Sequence, residues 1–288
     1  MKHYYQVAEH TFSVEIPEES QLLDEMGQYA PFSVDKSDNV VFSLRLVEKD
    51  DFPQTDDITT EMSQDDDGSQ ILAGQLHGKP YFEFQLWGRC AARMITDDRY
   101  QQADVLLVDE PLFGINNALM VMYALSTANL RTALFHSSVV SCAGYGYMFL
   151  GKSGTGKSTH SSLWLKHISG TELVNDDNPV VRRMPDGFYV FGSPWSGKTP
   201  CYRNRQCYLG AITRIERAPQ NSIERLQPVQ AFASLLPACS SMKWDSIIYN
   251  NLCDAITRII ETTPVYTLHC LPDEDAVRLC FATIVQRE

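Results

Sequence analysis

The residues with the most evident chemistry are Gly151-Lys152-Ser153-Gly154-Thr155-Gly156-Lys157-Ser158, which satisfy the spacing Gly-x-x-x-x-Gly-Lys-Ser/Thr at every fixed position. Glycine lets successive backbone N–H groups converge on anionic oxygens, and a helix starting near Ser158 would add the positive end of its dipole. Gly151, Ser153, Gly154, Thr155, Gly156 and Thr159 are therefore expected around the phosphates of a nucleotide. Lys157 would bridge the β- and γ-phosphates, and the Ser158 hydroxyl would take one position on a divalent cation. ATP and Mg2+ are the ligands this pattern calls for.

A phosphate loop does not by itself activate an acceptor, so the next question is where acids and bases fall. Asp176 and Asp177 end the short apolar run Leu173-Val174-Asn175, one helix beyond the loop, where such folds carry an acid beside the metal. Two adjacent acids can divide two tasks, one turned to Mg2+ and one to an acceptor hydroxyl. Read without the loop, Asn175-Asp176-Asp177-Asn178-Pro179 is an ordinary polar turn. His136 lies in the run Ala133 to Val140, one hairpin before the loop, and antiparallel pairing with Tyr147 to Leu150 could hold its imidazole near the loop. Finally, Gly192 to Pro200 is followed by Arg203 and Arg205. Lys198 or Arg203 could stabilise transferred charge, with Gly197 as the flexible point; the alternative is a solvated turn anchored by Trp195.

These groups need a strand into the loop and a helix out of it. Tyr147-Met148-Phe149-Leu150 supplies the strand after a turn at Ala143 to Gly146, and a helical pattern begins near Ser158. Further on, the pattern predicts a strand at Glu172 to Val174, a hairpin at Pro185-Asp186-Gly187 and a strand at Leu209 to Glu216. Helices follow at Val229 to Leu236, Ser246 to Ile260 and Asp273 to Gln286, with a strand at Val265 to Leu268. Upstream, Tyr4 to Val7, Thr11 to Val14, Val40 to Leu46 and Tyr81 to Trp87 alternate or are β-rich, which predicts an antiparallel sheet. The acidic stretch Glu48 to Ser69 reads as a turn and lacks the ligand spacing of a calcium loop. Asn116 or Asn117 would cap a helix over Ala118 to Leu130, which places a boundary between a β-rich region, 1–115, and a second region, 116–288.

Composition narrows the partners. The chain has 288 residues, 44% of them hydrophobic, enough for a large core, and a formal charge of −12, which disfavours nucleic acid. Its longest apolar run, Ala118 to Leu125, is too short for a membrane span. Met1 to Tyr5 lacks the apolar core of a secretion signal, and the eight cysteines are scattered singly. A cytoplasmic protein with reduced, mostly buried thiols is the expectation.

At these residues the chain resembles the HPr kinase/phosphorylase superfamily, whose catalytic core is related to the ATP-dependent phosphoenolpyruvate carboxykinases. The resemblance covers residues 134–216 and rests on an ordered set: His136, a hairpin, Gly151 to Ser158, a helix, Leu173 to Asp177, then Tyr208-Leu209-Gly210-Ala211-Ile212. It implies an α/β P-loop kinase core of the HPr kinase C-terminal/carboxykinase type; the N-terminal antiparallel β-rich region is read from its strand patterns and does not match the regulatory domain of that family. It also implies an active site of His136, Lys157, Asp176 and Asp177, with Ser158 and Asp176 at the metal; which acid is the base stays open, Asp177 being preferred.

Two departures stand out. Thr159 replaces the glutamate that follows the loop serine in the bifunctional enzymes, and Arg203 to Cys207 offers no metal-binding glutamate. The reaction implied is ATP- and Mg2+-dependent transfer to a hydroxyl of a protein, a peptide or a small molecule, a protein serine being preferred. Two alternatives remain: a nucleotide sensor without transfer, and a small-molecule kinase or carboxykinase-like enzyme. The acceptor and the oligomeric state, a homo-oligomer included, stay open.

Overall fold

The structure is a computed structural model and describes residues 1–56, 58–66, 68–197, 199–240 and 245–285. Internal packing divides the chain into two units, Met1–Thr127 and Ala128–Glu288.

The first unit consists of β1 (Lys2–Val7), β2 (His10–Glu15), the short helix α1 (Leu22–Glu25), β3 (Ser43–Leu46), β4 (Ile58–Asp66), β5 (Ser69–Leu76), β6 (Lys79–Leu86), β7 (Arg89–Thr96), β8 (Gln102–Leu107) and α2 (Pro111–Thr127). Its sheet runs in the order β1-β2-β3-β8-β7-β6-β5-β4. The expected antiparallel sheet is in fact mixed, because β3 lies parallel to both β2 and β8. The long connection from Ile16 to Phe42 allows this, since parallel neighbours need a crossover and not a tight turn. The acidic stretch read as a turn contains β4, whose backbone pairs with β5 from Ile58 to Asp66; partnership with a neighbouring strand outweighs its poor β composition.

Helix α2 starts at Pro111, ahead of the expected Asn116 or Asn117, because proline suits the first helical position. It then lies on β6, β7 and β8. Ile115, Ala118, Leu119, Met122 and Tyr123 are buried there, and the Tyr123 hydroxyl donates to the Val7 carbonyl at 2.9 Å. Gly114 permits the approach, since a Cβ at this position would come within 2.8 Å of the Ala92 Cβ. The packing explains why the division falls after Thr127 and not at 115/116.

The second unit contains β9 (Thr132–Leu134), β10 (Ser137–Cys142), β11 (Tyr145–Leu150), α3 (Lys157–His167), β12 (Thr171–Asp177), β13 (Val180–Met184), β14 (Gly187–Phe191), β15 (Gln206–Arg217), β16 (Ser222–Arg225), α4 (Pro228–Leu235), α5 (Ser246–Thr262), β17 (Val265–Cys270) and α6 (Glu274–Ile284). The sheet order is β12-β10-β11-β15-β14-β13-β9, with β17 beside the later half of β15 and β16 beside β17. Alternation along the strands sends side chains to two cores. Val139, Met148, Leu150 and Ile212 pack with Leu235 of α4 and Ile256 of α5, while Val140, Phe149 and Ala211 pack with Trp164 of α3 and Cys280 of α6. The result is a mixed α/β layer structure with helices on both faces.

The run from Ala133 to Val140, read as one strand carrying His136, breaks at Phe135-His136. On one side of the break β9 pairs with β13; on the other β10 lies between β12 and β11. Backbone bonds from Phe135 N to the Pro179 carbonyl and from His136 N to the Ala238 carbonyl, 2.7 Å, hold the two linking residues. His136 therefore sits in a bend, where its side chain is freed from strand alternation. Cys142, Cys201, Cys207, Cys239, Cys270 and Cys280 are buried. Among the described residues no helix is long and apolar enough to cross a membrane.

Candidate functional site

The buried strand β11 ends at Leu150 and the chain turns at once into the glycine loop. Gly151, Gly154 and Gly156 have φ of +153°, +75° and +115°, a region that costs other residues strain. Gly151 is also required for space: a Cβ there would lie 2.5 Å from the Thr155 hydroxyl oxygen and 3.2 Å from the Ile215 carbonyl. The arc is closed by Thr155, whose N–H and hydroxyl both donate to the Lys152 carbonyl at 3.1 and 2.7 Å. Lys152, Ser153, Gly154, Ser158 and Thr159 are exposed, and Gly151, Thr155, Gly156 and Lys157 are half-buried. Gly156 begins α3 without a side-chain cap. An open loop leading into an uncapped helix N-terminus is a site for an anion.

The acidic doublet is divided by strand register. Asp176 pairs with Ser138 and Asp177 with Ser137 in the ladder between β12 and β10, and directly opposed residues share a face. The Ser138 hydroxyl lies 2.6 Å from that of Ser161 on α3. Asp176 is therefore on the α3 face and is buried; Ser158 is one helical turn before Ser161. Asp177 belongs to the opposite face. Its Oδ1 lies 2.9 Å from His136 Nδ1, and its Oδ2 accepts from the Asn178 amide at 2.8 Å.

His136 Nε2 in turn lies 3.0 Å from Lys157 Nζ, which also donates to the Gly151 carbonyl at 3.0 Å. A lysine ammonium has only protons to give, so Nε2 accepts and the Nδ1–H donates to Asp177. A continuous chain Lys157–His136–Asp177 thus joins the loop to the acid.

Two residues the motif reading did not single out fix the backbone beneath this chain. Asn175 is fully buried. Its amide donates to the Ser193 hydroxyl at 3.1 Å, and its carbonyl oxygen accepts from Asp177 N at 3.0 Å. The Ser193 hydroxyl donates to the Asn178 carbonyl at 2.6 Å. Asn175 was visible as an amide in an apolar run; Ser193 had no comparable signal.

The following loop lies against the doublet. Gly197 N donates to the Asp176 carbonyl at 2.8 Å, and a Cβ at Gly197 would come within 2.9 Å of that oxygen and 3.2 Å of the Asp177 Cβ. Trp195 is buried as its anchor. Lys198 lies outside the described residues. Arg203 does not join the site: its guanidinium donates to the Leu173 carbonyl at 3.1 Å and lies 3.6 Å from Glu172, which also pairs with Arg205. Five residues of strand, about 16 Å, separate Glu172 from Asp177. The Glu172 carboxylate and the Leu173 carbonyl hold the cation where Coulomb attraction and hydrogen bonding coincide.

Arg217, at the end of β15, reaches the loop from another direction. Its guanidinium donates to the carbonyls of Gly154 and of Thr155, the latter at 3.4 Å. His160 stands apart from the chemistry, one turn into α3. It is buried against Phe149, accepts from the Trp164 indole N–H at 3.0 Å, and burial pushes its pKa down to about 4.

Among the described residues no group of three or more His, Cys, Asp or Glu side chains is placed to hold a metal. Mg2+ asks for less, since it keeps several waters and is commonly held by one or two protein oxygens plus substrate phosphates. Ser158 and Asp176, both on the α3 side of the sheet, have the oxygen donors that such a cation would need.

No protein-family model and no curated protein matches the chain. Among solved structures it is similar to the HPr(Ser) kinase/phosphatase from Coxiella burnetii, with 12% identity, a TM-score of 0.31, and coverage of 53% of this chain and 93% of that one. At that level of similarity the geometry of the site, and not the comparison, carries the functional reading.

Proposed function

We propose that the chain is an ATP- and Mg2+-dependent phosphotransferase that moves the γ-phosphoryl group of ATP to a hydroxyl, a serine of a protein or peptide. The observation that carries this reading is the chain Lys157–His136–Asp177, which ends on an exposed glycine loop with three positive-φ glycines. A structural ion pair would not need a loop shaped for an anion beside it.

The roles follow from position. Backbone N–H groups of the loop and of the first turn of α3 hold the β- and γ-phosphates. Lys157, held by the Gly151 carbonyl and His136, needs only a side-chain swing to reach the bridging oxygens. Asp177 takes the proton of the acceptor hydroxyl as its oxygen bonds to phosphorus and the bond to the ADP oxygen breaks. The Nδ1–H of His136 orients the Asp177 carboxylate toward the acceptor. Ser158 and Asp176 would hold Mg2+, which when bound would supply neutralisation of phosphate charge.

Incubation with γ-labelled ATP and a panel of serine-containing peptides and proteins tests the reading. The wild type should label an acceptor, and Lys157→Ala should lower transfer about a hundred- to a thousandfold with an unchanged unfolding transition. Turnover retained in the folded variant would sink the assignment.

A further inference from the structure

Arg217 is a cation on the loop proposed to hold phosphate, yet its hydrogen bonds go to the loop's backbone carbonyls. It lies at the end of β15, the strand that also provides the Ile215 carbonyl on which Gly151 rests. The guanidinium is exposed, and among the described residues its hydrogen bonds go only to the carbonyls of Gly154 and Thr155. In a chain of net charge −12, an arginine with no carboxylate partner among the described residues keeps its full charge for whatever the loop holds.

Peptide geometry gives this contact a consequence. In a trans peptide the carbonyl of one residue and the N–H of the next point in opposite directions. Holding the Thr155 carbonyl outward on Arg217 therefore directs the Gly156 N–H inward, at the start of α3. Glycines at 154 and 156 make these peptides easy to rotate. A planar, two-pronged donor on both carbonyls removes that freedom, which a point charge on lysine cannot do equally well.

We infer that Arg217 is a positioning residue for the phosphate site: it clamps the Gly154 and Thr155 carbonyls so that the Gly156 N–H stands ready for the phosphates. The inference rests on the proposed nucleotide binding and adds a determinant 62 residues downstream of Thr155.

Titration of Mg-ATP, Mg-ADP and adenosine into wild type, Arg217→Lys and Arg217→Gln tests it. The Kd for ATP and for ADP should rise about tenfold in Arg217→Gln and about threefold in Arg217→Lys, while weak binding of adenosine stays unchanged. Loss of folded protein would lower the binding stoichiometry and leave Kd as it was, so a purely structural role is distinguishable. If the wild type binds no nucleotide, the proposed function fails and the inference with it. If the wild type binds and Arg217→Gln binds equally well, the inference alone is overturned.

Discussion

Helix α3 carries two regions that meet opposite demands within two turns. At its start, Lys157 is half-buried beside a partly exposed glycine loop, and the polar groups there satisfy one another through His136, Asp177 and the Gly151 carbonyl. One and two turns later, His160 and Trp164 are buried among Tyr147, Phe149 and Phe281. Each region has a histidine. His136 joins a cation to an acid in a bend of the chain; His160 accepts one indole hydrogen bond in an apolar core. Residue type is the same in both, and the surroundings decide whether the ring links two charged groups or fills space.

That contrast can be broken from either side. The largest effect is expected in the core: Trp164→Ala removes a fully buried indole and should lower unfolding free energy by about 3–5 kcal/mol in urea titration. Little loss there would mean that α3 is held by its polar end. At the other end, Asp177→Asn should reduce phosphoryl transfer about a hundredfold while the Kd for Mg-ATP and the urea midpoint stay close to wild type. A large change in nucleotide affinity would move Asp177 to the metal and exchange the roles of the two acids.

The smallest effect sharpens the contrast between the histidines. His160 has a folded-state pKa near 4 against an unfolded value of about 6.5, so below that value the unfolded chain binds the extra proton. Its stability contribution is complete above about pH 6.5 and declines as pH falls toward 4. At pH 5 the loss is about 2 kcal/mol. Urea unfolding at pH 7 and pH 5 should show this difference in wild type and a smaller one in His160→Gln, which keeps an acceptor for the indole. Identical differences in the two proteins would show that the buried histidine does not contribute.

The glycine loop was legible in the sequence because everything it needs is local. Glycines that tolerate positive φ, a preceding apolar strand and a following helix are consecutive in the chain, and the structure shows the expected strand, loop and helix at β11, Gly151 to Gly156 and α3. The helices α4, α5 and α6 and the strand β17 were equally readable, since apolar periodicity and caps such as Asp245 and Asp273 act within a few residues. Less was legible upstream. An acidic composition concealed β4, whose strand conformation depends on pairing with β5, and α2 joined the first unit through packing that no residue within it announces.

For the site, spacing by itself determined that a phosphate ligand is to be expected and that Asp176 and Asp177 follow one helix later. Only the tertiary structure decided how the doublet is divided, because the two acids point to opposite faces once register pairs them with Ser138 and Ser137. It also decided that His136 leaves its strand to meet Lys157, that Arg203 is held at Glu172, and that Arg217 lies on the loop. Each of these depends on backbone segments far apart in the chain brought into hydrogen-bond distance, and a one-residue shift in pairing would reverse the face of every side chain involved.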